Sequence, residues 1–409
     1  MAPGWAHPPA KLAGCPRSPF SSPPAAMFAS TDPATIARTV VIGGLLIGLA
    51  LGIVGQASRF CIRGAIADWV IFRGPARLAS WLLAIGVGAL CVQGLVSGGL
   101  LDATRTIAWS DRLAWLSCAV GGLLFGYGMI LSGGCPQRCL VKAGSGSLKA
   151  MVVLVLVAIA ALMTLRGAFA GLRVDYLDAT ALPLAGPQDL GGLLSRASGV
   201  GAAGLRWALA GLIAAGAFAF AWRARQRLDA VHWVGGIGVG LLLGVALFIT
   251  GHLGFLAEHP ETLESAWLGT QSRRPEGLSF AAPMAAALDL LTLWTDRATV
   301  LTFGVAVALG VLVGSHLSAR LRGEFRLESF TTPGELASHS AGALLMGFGG
   351  VTALGCSVGN GVTGLALQSA GSVLAVAGIV AGACLALLVQ DRHSAARGIG
   401  TPVAPSASR

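Results

Sequence analysis

Three cysteines in this 409-residue chain stand where long apolar runs are interrupted. Cys135 and Cys356 each follow a glycine at the end of a run, and Cys61 comes shortly after another run. A thiol is a weak hydrogen-bond donor with a soft, polarizable sulfur, so it suits the terminal sulfur atom of a small anion. The alternative is packing as a small hydrophobe, which we expect for the three cysteines inside runs: Cys91, Cys118 and Cys384.

The neighbours of these cysteines could supply charge and hydrogen-bond donors. Arg59 or Arg138 could attract an anion or dock an acidic partner surface, or could serve only as basic residues that set topology. Ser357 and Asn360 could donate to a substrate oxygen, or could satisfy backbone groups freed by irregular structure. The predicted substrate-binding set therefore comprises Cys61, Cys135, Cys356, Arg59, Arg138, Gly134, Gly355, Ser357 and Asn360.

The elements that must position these residues are predicted to be membrane helices. Hydrophobic residues make up 55% of the chain and charged residues only 11%, whereas soluble domains carry about 25% charged residues. Each apolar run has roughly 18–24 residues, enough to cross about 30 Å of hydrocarbon as a helix. The sequence predicts an all-α polytopic membrane protein with about nine spans, near residues 35–55, 78–101, 113–133, 148–170, 203–222, 231–252, 298–319, 338–355 and 371–390.

The basic residues predict an orientation. They cluster after the first, third, fifth and seventh spans, as Arg59, Arg63, Arg73, Arg77; Arg138, Lys142, Lys149; Arg223, Arg225, Arg227; and Arg320, Arg322, Arg326. By the positive-inside rule, the N-terminus lies outside and the C-terminus lies in the cytoplasm, in a bacterial inner membrane. Topology also explains the net charge of +10, so we expect no nucleic-acid partner.

An internal repeat predicts two halves of opposite orientation. Leu123–Gly128 with Gly134-Cys135 matches Leu344–Gly349 with Gly355-Cys356 at an offset of 221, and the same offset relates Asp68 to Asp289. The motif lies in the third span and again in the eighth, and this odd shift of five spans inverts the second copy across the membrane. Many secondary transporters have such inverted repeats, with discontinuous helices near the midplane. We expect Asp68 and Asp289 to cap helices or pair with arginine, with proton coupling as the alternative.

The predicted organisation follows from this repeat. It consists of an N-terminal tail (1–33), a first membrane repeat (34–170), a linker with one extra span (171–230), a second, inverted repeat (231–391) and a C-terminal tail (392–409). The segments around the three cysteines are predicted to be re-entrant half-helices, whose N-terminal ends could face an anion. Either Met1 or Met27 could start translation.

The motifs resemble the YeeE/YedE sulfur-transport family, whose studied members include thiosulfate transporters. The resemblance covers roughly residues 38–390 and rests on Ser58-Arg59-Phe60-Cys61, Gly133-Gly134-Cys135-Pro136, Arg274-Pro275-Glu276-Gly277-Leu278 and Gly355-Cys356-Ser357-Val358-Gly359. It implies a narrow path along which Cys61, Cys135 and Cys356 hand on a sulfur anion, and a cytoplasmic sulfur-carrier protein of the TusA type as partner. The offset of 221 puts Ala282 opposite Cys61, so a symmetrical four-cysteine path is absent and the specificity for thiosulfate stays open.

We therefore predict uptake of a small inorganic sulfur anion, most simply thiosulfate, rather than an enzymatic activity. Sulfite, sulfide, a persulfide or a selenium species are the open substrates. Two other functions stay open: a membrane-embedded thiol redox enzyme, which would need acid–base groups near the thiols, and a scaffold for a soluble sulfur carrier. We expect no cofactor and no metal site.

Overall fold

A computed structural model describes residues 32–260, 263–296 and 299–396. Most of the predicted N-terminal tail, with both candidate start residues, lies outside these residues, as does the C-terminal tail beyond residue 396. The helices are α1 (Pro33–Ser58), α2 (Ile62–Ala67), α3 (Ala76–Ser97), α4 (Trp115–Leu131), α5 (Pro136–Gly144), α6 (Leu148–Arg166), α7 (Ala170–Leu172), α8 (Leu190–Ser198), α9 (Ala202–Arg223), α10 (Ala230–Phe248), α11 (Ala282–Thr292), α12 (Phe303–Leu321), α13 (Pro333–Thr352) and α14 (Ala370–Ala396). Strands are confined, in this part of the chain, to the two-residue pairs β1 (Arg112–Leu113) with β2 (Leu182–Pro183) and β3 (Phe255–Leu256) with β4 (Ala266–Trp267).

The predicted all-α polytopic membrane architecture is confirmed. Eight stretches within the described residues are long and apolar enough to cross a membrane, against about nine predicted. The run predicted at 338–355 forms α13, whose first half contains Glu335 and His339 and is therefore less apolar than the other spans. α14 continues to Ala396, into the segment predicted as a tail.

The long helices pack in pairs that repeat across the two halves. α1 packs against α12, and α10 packs against α3; α4 packs against α14, and α13 packs against α6. α4 also packs against its own counterpart, α13. Helices of each half thus pack against helices of the other half. The repeat boundaries themselves stay a prediction.

Glycines set the distance between these helices. A Cβ atom at Gly48 of α1 would collide with the carbonyl oxygen of Val307 on α12, and one at Gly126 of α4 would collide with that of Ile379 on α14. Small residues let membrane helices approach until their backbones touch, which gives close packing without a hydrophobic driving force. The high glycine content therefore has a structural reason at these crossings.

The alternation of helices defines two sides of the bundle, which we call the N-side, where α1 begins, and the C-side, where α14 ends. On the N-side, the Trp115 indole N–H at the start of α4 donates to the Thr180 carbonyl oxygen at 3.1 Å. On the C-side, the starts of α6 and α13 meet through an ion pair of 2.6 Å between Lys149 and Glu335. The N-side contact thus ties the first half to the linker, and the C-side contact ties the first half to the second.

The extra span, α9, is tied to the rest by a buried ion pair. Asp189 is fully buried, caps α8, and accepts two hydrogen bonds from the Arg206 guanidinium at 2.7 and 3.1 Å. The Gln368 side chain donates to the Arg206 carbonyl oxygen at 2.8 Å. These bonds anchor the linker beside the start of α14.

The repeat mates Asp68 and Asp289 each pair with an arginine. Asp68 lies 3.3 Å from Arg77, and Asp289 lies 3.1 Å from Arg166. The expected arginine pairing is therefore present in both halves. Matching pairs at the far ends of α2 and α11 are consistent with one structural role repeated twice.

Candidate functional site

Each of the three motif cysteines precedes the first residue of a short helix. Cys61 caps α2 and Cys135 caps α5, while Cys356 precedes a helix at 357–366 that is largely in the π form, which we call the Cys356 helix. Before each cysteine the backbone turns through a left-handed residue. Those residues are Arg59 (φ 52°), Gly133 (φ 73°) and Leu354 (φ 58°), of which the last two are repeat mates.

The three cysteines converge. The thiols of Cys61 and Cys356 and the hydroxyl of Ser357 lie close enough to Cys135 to interact with it electrostatically. Cys135 and Cys356 are buried, and Cys61 is half-buried. The short helices therefore bring residues up to 295 positions apart in the chain (61 to 356) to one place.

The sulfur atoms accept backbone hydrogen bonds at this place. Cys356 Sγ accepts from the N–H groups of Phe280 at 3.3 Å and Gly359 at 3.4 Å, and Cys61 Sγ accepts from Gly64 at 3.4 Å. Because sulfur is the acceptor in these contacts, the S–H groups stay available to donate. The contact from Phe280 also places the beginning of α11 against Cys356.

The fourth short helix, α11, carries no thiol at its start. Ala282, the counterpart of Cys61 at the offset of 221, is its first residue. The N-terminal ends of α2, α5, α11 and the Cys356 helix thus approach one region. Helix N-termini carry unpaired N–H groups and partial positive charge, which favours an anion.

Ser357 is the most available polar group of the predicted set. Its side chain is fully buried, and its hydroxyl makes no hydrogen bond of ordinary geometry. Asn360, in contrast, is occupied. Its amide nitrogen donates to the carbonyl oxygens of Ala353 at 2.9 Å and Gly355 at 2.8 Å, and its Oδ1 accepts from Ser372 at 3.0 Å. These contacts match the alternative in which Asn360 satisfies freed backbone groups.

The remaining predicted site residues are Arg138, Arg59, Gly134 and Gly355. The Arg138 guanidinium donates to the Gly55 carbonyl oxygen of α1 at 3.4 Å, and Arg59 is exposed at the C-side end of α1. There is little room for a side chain at Gly134 or Gly355. A Cβ atom at Gly355 would lie 3.1 Å from Asn360 Nδ2, and one at Gly134 would lie 3.4 Å from Arg138 Cβ.

Cavities lie on both sides of the cysteines. The N-side cavity, of about 190 Å³, extends from the 106–108 loop to Ser279, Ala282 and Gly359, next to Cys356. The C-side cavity, of about 140 Å³, is bordered by Cys139, Lys142, Ser132 and His339. Residues that follow Cys356 in its helix thus line the N-side cavity, and Cys139, one turn after Cys135, lines the C-side cavity.

Two lysines that the predicted set does not include, Lys142 and Lys149, line the C-side cavity together with the carboxylates of Glu328 and Glu335. Lys142 Nζ donates to the Gly133 carbonyl oxygen at 2.8 Å, next to Cys135. Arg63, Arg138 and Lys142 all lie within electrostatic range of Cys139. The spacing of four between Cys135 and Cys139, and of three between Cys139 and Lys142, is a helical signal that places these residues along α5. All seven cysteines in the described residues are free thiols.

Comparison with known proteins identifies the family of the chain. The Sulphur transport family profile matches residues 57–385, most of the chain, so the protein belongs to the sulphur-transport family of multi-pass membrane proteins. It is similar to the thiosulfate transporter TsuA of Escherichia coli K12, with 26% identity over 81% of this chain and 89% of that protein. It is equally similar to the thiosulfate transporter TsuA of Spirochaeta thermophila, with 26% identity over 80% of this chain and 92% of that protein. A shorter match, 30% identical over 25% of this chain and 24% of the relative, is to the probable transporter YedE of Salmonella typhimurium.

Proposed function

We propose that this protein takes up thiosulfate across the bacterial inner membrane along a path formed by Cys356, Cys135 and Cys61. The observation that carries the proposal is the position of the three thiols, which lie at the starts of converging short helices between two cavities. The names of the relatives support thiosulfate as the substrate.

The physical problem of such transport is the dehydration of a dianion. Buried charge is costly unless hydrogen bonds and opposite charge replace water. Here the replacements are the N-terminal N–H groups of the short helices, the Ser357 hydroxyl and the S–H donors. The thiols are soft and weak donors, which suits them to the terminal sulfur of thiosulfate and lets the anion leave each position quickly.

The path runs from the N-side cavity to the C-side cavity. The anion enters beside Gly359, meets the Cys356 and Cys135 thiols, passes Cys61, and reaches Cys139 and Lys142. In the proposed orientation the N-side faces the periplasm and the C-side faces the cytoplasm, which the arginines on the C-side support.

A cytoplasmic sulfur carrier of the TusA type is the proposed receiver of the anion. The C-side presents exposed basic residues, among them Arg59, Arg225 and Arg227. A basic rim would attract an acidic carrier surface and raise the rate of encounter. Binding of such a carrier should therefore weaken as salt concentration rises.

Uptake of ³⁵S-thiosulfate tests the path. Cells lacking other sulfate and thiosulfate importers would express the unaltered chain, Cys135→Ala, Cys356→Ala, or the control Cys384→Ala, whose half-buried thiol lies on α14, away from the path. We expect uptake by the unaltered chain and the control, and a loss of about tenfold or more in either path variant, since about 1.4 kcal/mol per lost contact corresponds to tenfold.

Other outcomes would change the proposal in defined ways. Unaltered uptake by both path variants at matched expression would reject the thiol path and keep the transporter. Absence of uptake by the unaltered chain, with the TusA-type carrier co-expressed, would reject thiosulfate. A covalent sulfur adduct trapped on Cys135 or Cys356 by mass spectrometry would favour the thiol redox enzyme.

A further inference from the structure

A carboxyl group lines the N-side cavity, on the route proposed for an anion. Glu276 lies in the loop that leads to α11, and its partly buried side chain borders the cavity that ends near Cys356. A fixed negative charge at this position would repel an incoming dianion. Its presence therefore requires a reason that the path alone does not give.

The carboxyl group is held in place by local contacts. Ser272 donates from both its backbone N–H and its hydroxyl to Glu276 Oε1, each at 2.7 Å. The backbone of Glu276 is fixed to Thr250, beyond the end of α10: the Glu276 N–H donates to Thr250 Oγ1 at 3.2 Å, and the Thr250 hydroxyl donates to the Glu276 carbonyl oxygen at 2.8 Å. Both Ser272 bonds end on one carboxyl oxygen.

The surroundings supply no positive charge to neutralise the carboxylate. Glu276 takes part in no ion pair within the part of the chain that the structure describes. Arg273 and Arg274, which precede it, are exposed. Burial raises the pKa of Glu276, and the hydrogen bonds from Ser272 act against that effect.

The groups that face this carboxyl from other elements are almost all uncharged. The cavity lining contributes Thr106 from the loop after α3, Gln188 before α8, and Asn360 and Thr363 from the Cys356 helix. Its one other titratable member is the Cys118 thiol of α4. His252, which follows Thr250 after α10, stacks on Phe248 with ring centroids 5.3 Å apart. Glu276 is thus the one carboxyl group in the lining of this cavity.

We infer that Glu276 binds the proton that accompanies the anion, so that uptake is proton-coupled. The inference rests on the proposed thiosulfate transport. A protonated carboxyl no longer repels the dianion, and its O–H can donate to a substrate oxygen. The anion therefore binds more tightly to the protonated protein, and by linkage the proton binds more tightly when the anion is present. When small movements of the two halves open the site toward the C-side, the anion leaves and the Glu276 proton leaves to that same side, so that one proton crosses the membrane with each anion.

Proteoliposomes that contain the full chain test this inference. An inward thiosulfate gradient is imposed, the membrane potential is clamped with potassium and valinomycin, and an enclosed pH dye reports proton entry. We expect thiosulfate entry to acidify the lumen. In a scan of external pH, we expect flux to fall about fivefold or more as pH rises through the raised pKa of Glu276 and the carboxyl loses its proton.

Glu276→Gln keeps the shape of the side chain and a donor but removes the titration. Thiosulfate flux should continue down its gradient, with less than about twofold change over the same pH range and without acidification. The control, Glu258→Gln, removes an exposed carboxyl on the same side and should behave as the unaltered protein.

Ser272→Ala gives a second readout that does not depend on the folding of the glutamine variant. Loss of one donor to the carboxylate destabilises the charged form, so the midpoint of the pH profile should move to higher pH. Two results would overturn proton coupling and leave the transport function standing. One is thiosulfate flux through the unaltered protein without acidification. The other is a pH profile of flux that is the same in Glu276→Gln, in Ser272→Ala and in the unaltered protein. Absence of thiosulfate flux by the unaltered protein would overturn both.

Discussion

At the scale of single residues, the site depends on which hydrogen-bonding groups are already used. Ser357 and Asn360 are three residues apart and both buried, yet the Asn360 amide is fully engaged while the Ser357 hydroxyl is not. The sequence could suggest both as ligands, because both are polar residues in the same motif. Only the positions of the Ala353 and Gly355 carbonyl groups show that the Asn360 side chain holds the turn.

Removal of the Ser357 hydroxyl should weaken substrate binding. A lost hydrogen bond to a charged group costs about 1.5–3 kcal/mol, so Ser357→Ala should raise the KM for thiosulfate about tenfold or more with unchanged folding. Uptake against thiosulfate concentration measures this effect. A KM equal to that of the unaltered protein would mean that Ser357 does not contact the anion.

The Asn360 side chain should contribute to the stability of the folded protein as well as to its affinity for the substrate. Asn360→Leu keeps a similar volume but leaves the buried carbonyl oxygens of Ala353 and Gly355 without partners, at a cost of about 1–3 kcal/mol for each such group. We expect a lower midpoint of thermal unfolding in detergent and faster reaction of Cys356 with maleimide. An unchanged midpoint and unchanged reactivity would contradict the positioning role.

At the scale of elements, the bundle depends on glycines where long helices cross. Apolar run lengths predicted the helices, because the thickness of a bilayer sets the length of a span. They did not predict which helices pair, since nearly every run is apolar on all sides. The pairing depends on where two backbones can touch, as at Gly126 and Ile379.

A single added methyl group tests these crossings. Gly126→Ala places a Cβ atom against the backbone of α14, whereas a Cβ atom at Gly204 of α9 has no heavy atom within 4 Å. Overpacking costs about 1–3 kcal/mol, so Gly126→Ala should lower the thermal midpoint and the yield of monodisperse protein, while Gly204→Ala should match the unaltered chain. Equal behaviour of the two variants would contradict the close crossing of α4 and α14.

At the scale of the whole molecule, residues from both predicted halves meet at the candidate site. Cys61 and Cys135 come from the first half and Cys356 from the second, and the N-side cavity combines residues from both halves. A site at the interface of inverted repeats can be reached from either side by small movements of one half against the other.

The orientation of the molecule can be tested by labelling. Ala179 is exposed on the N-side and Gln226 is exposed on the C-side. We expect Ala179→Cys to react with a membrane-impermeant maleimide in intact spheroplasts, and Gln226→Cys to react only after permeabilisation, because arginines surround Gln226. The unaltered chain gives the background of native thiols. The reverse pattern would place the N-side in the cytoplasm.

The amino-acid sequence by itself determined the membrane class, the approximate spans, the three motif cysteines and their duplication, because these depend on local composition and on spacing along one chain. Only the tertiary structure decided that the cysteines meet between two cavities, that Asn360 is already engaged, and that Glu276 borders the N-side cavity. The meeting of the cysteines and the position of Glu276 depend on contacts between segments far apart in the chain, and the engagement of Asn360 depends on the irregular turn that precedes it. Such contacts are fixed by backbone approach and by the pairing of buried polar groups, which no local pattern encodes.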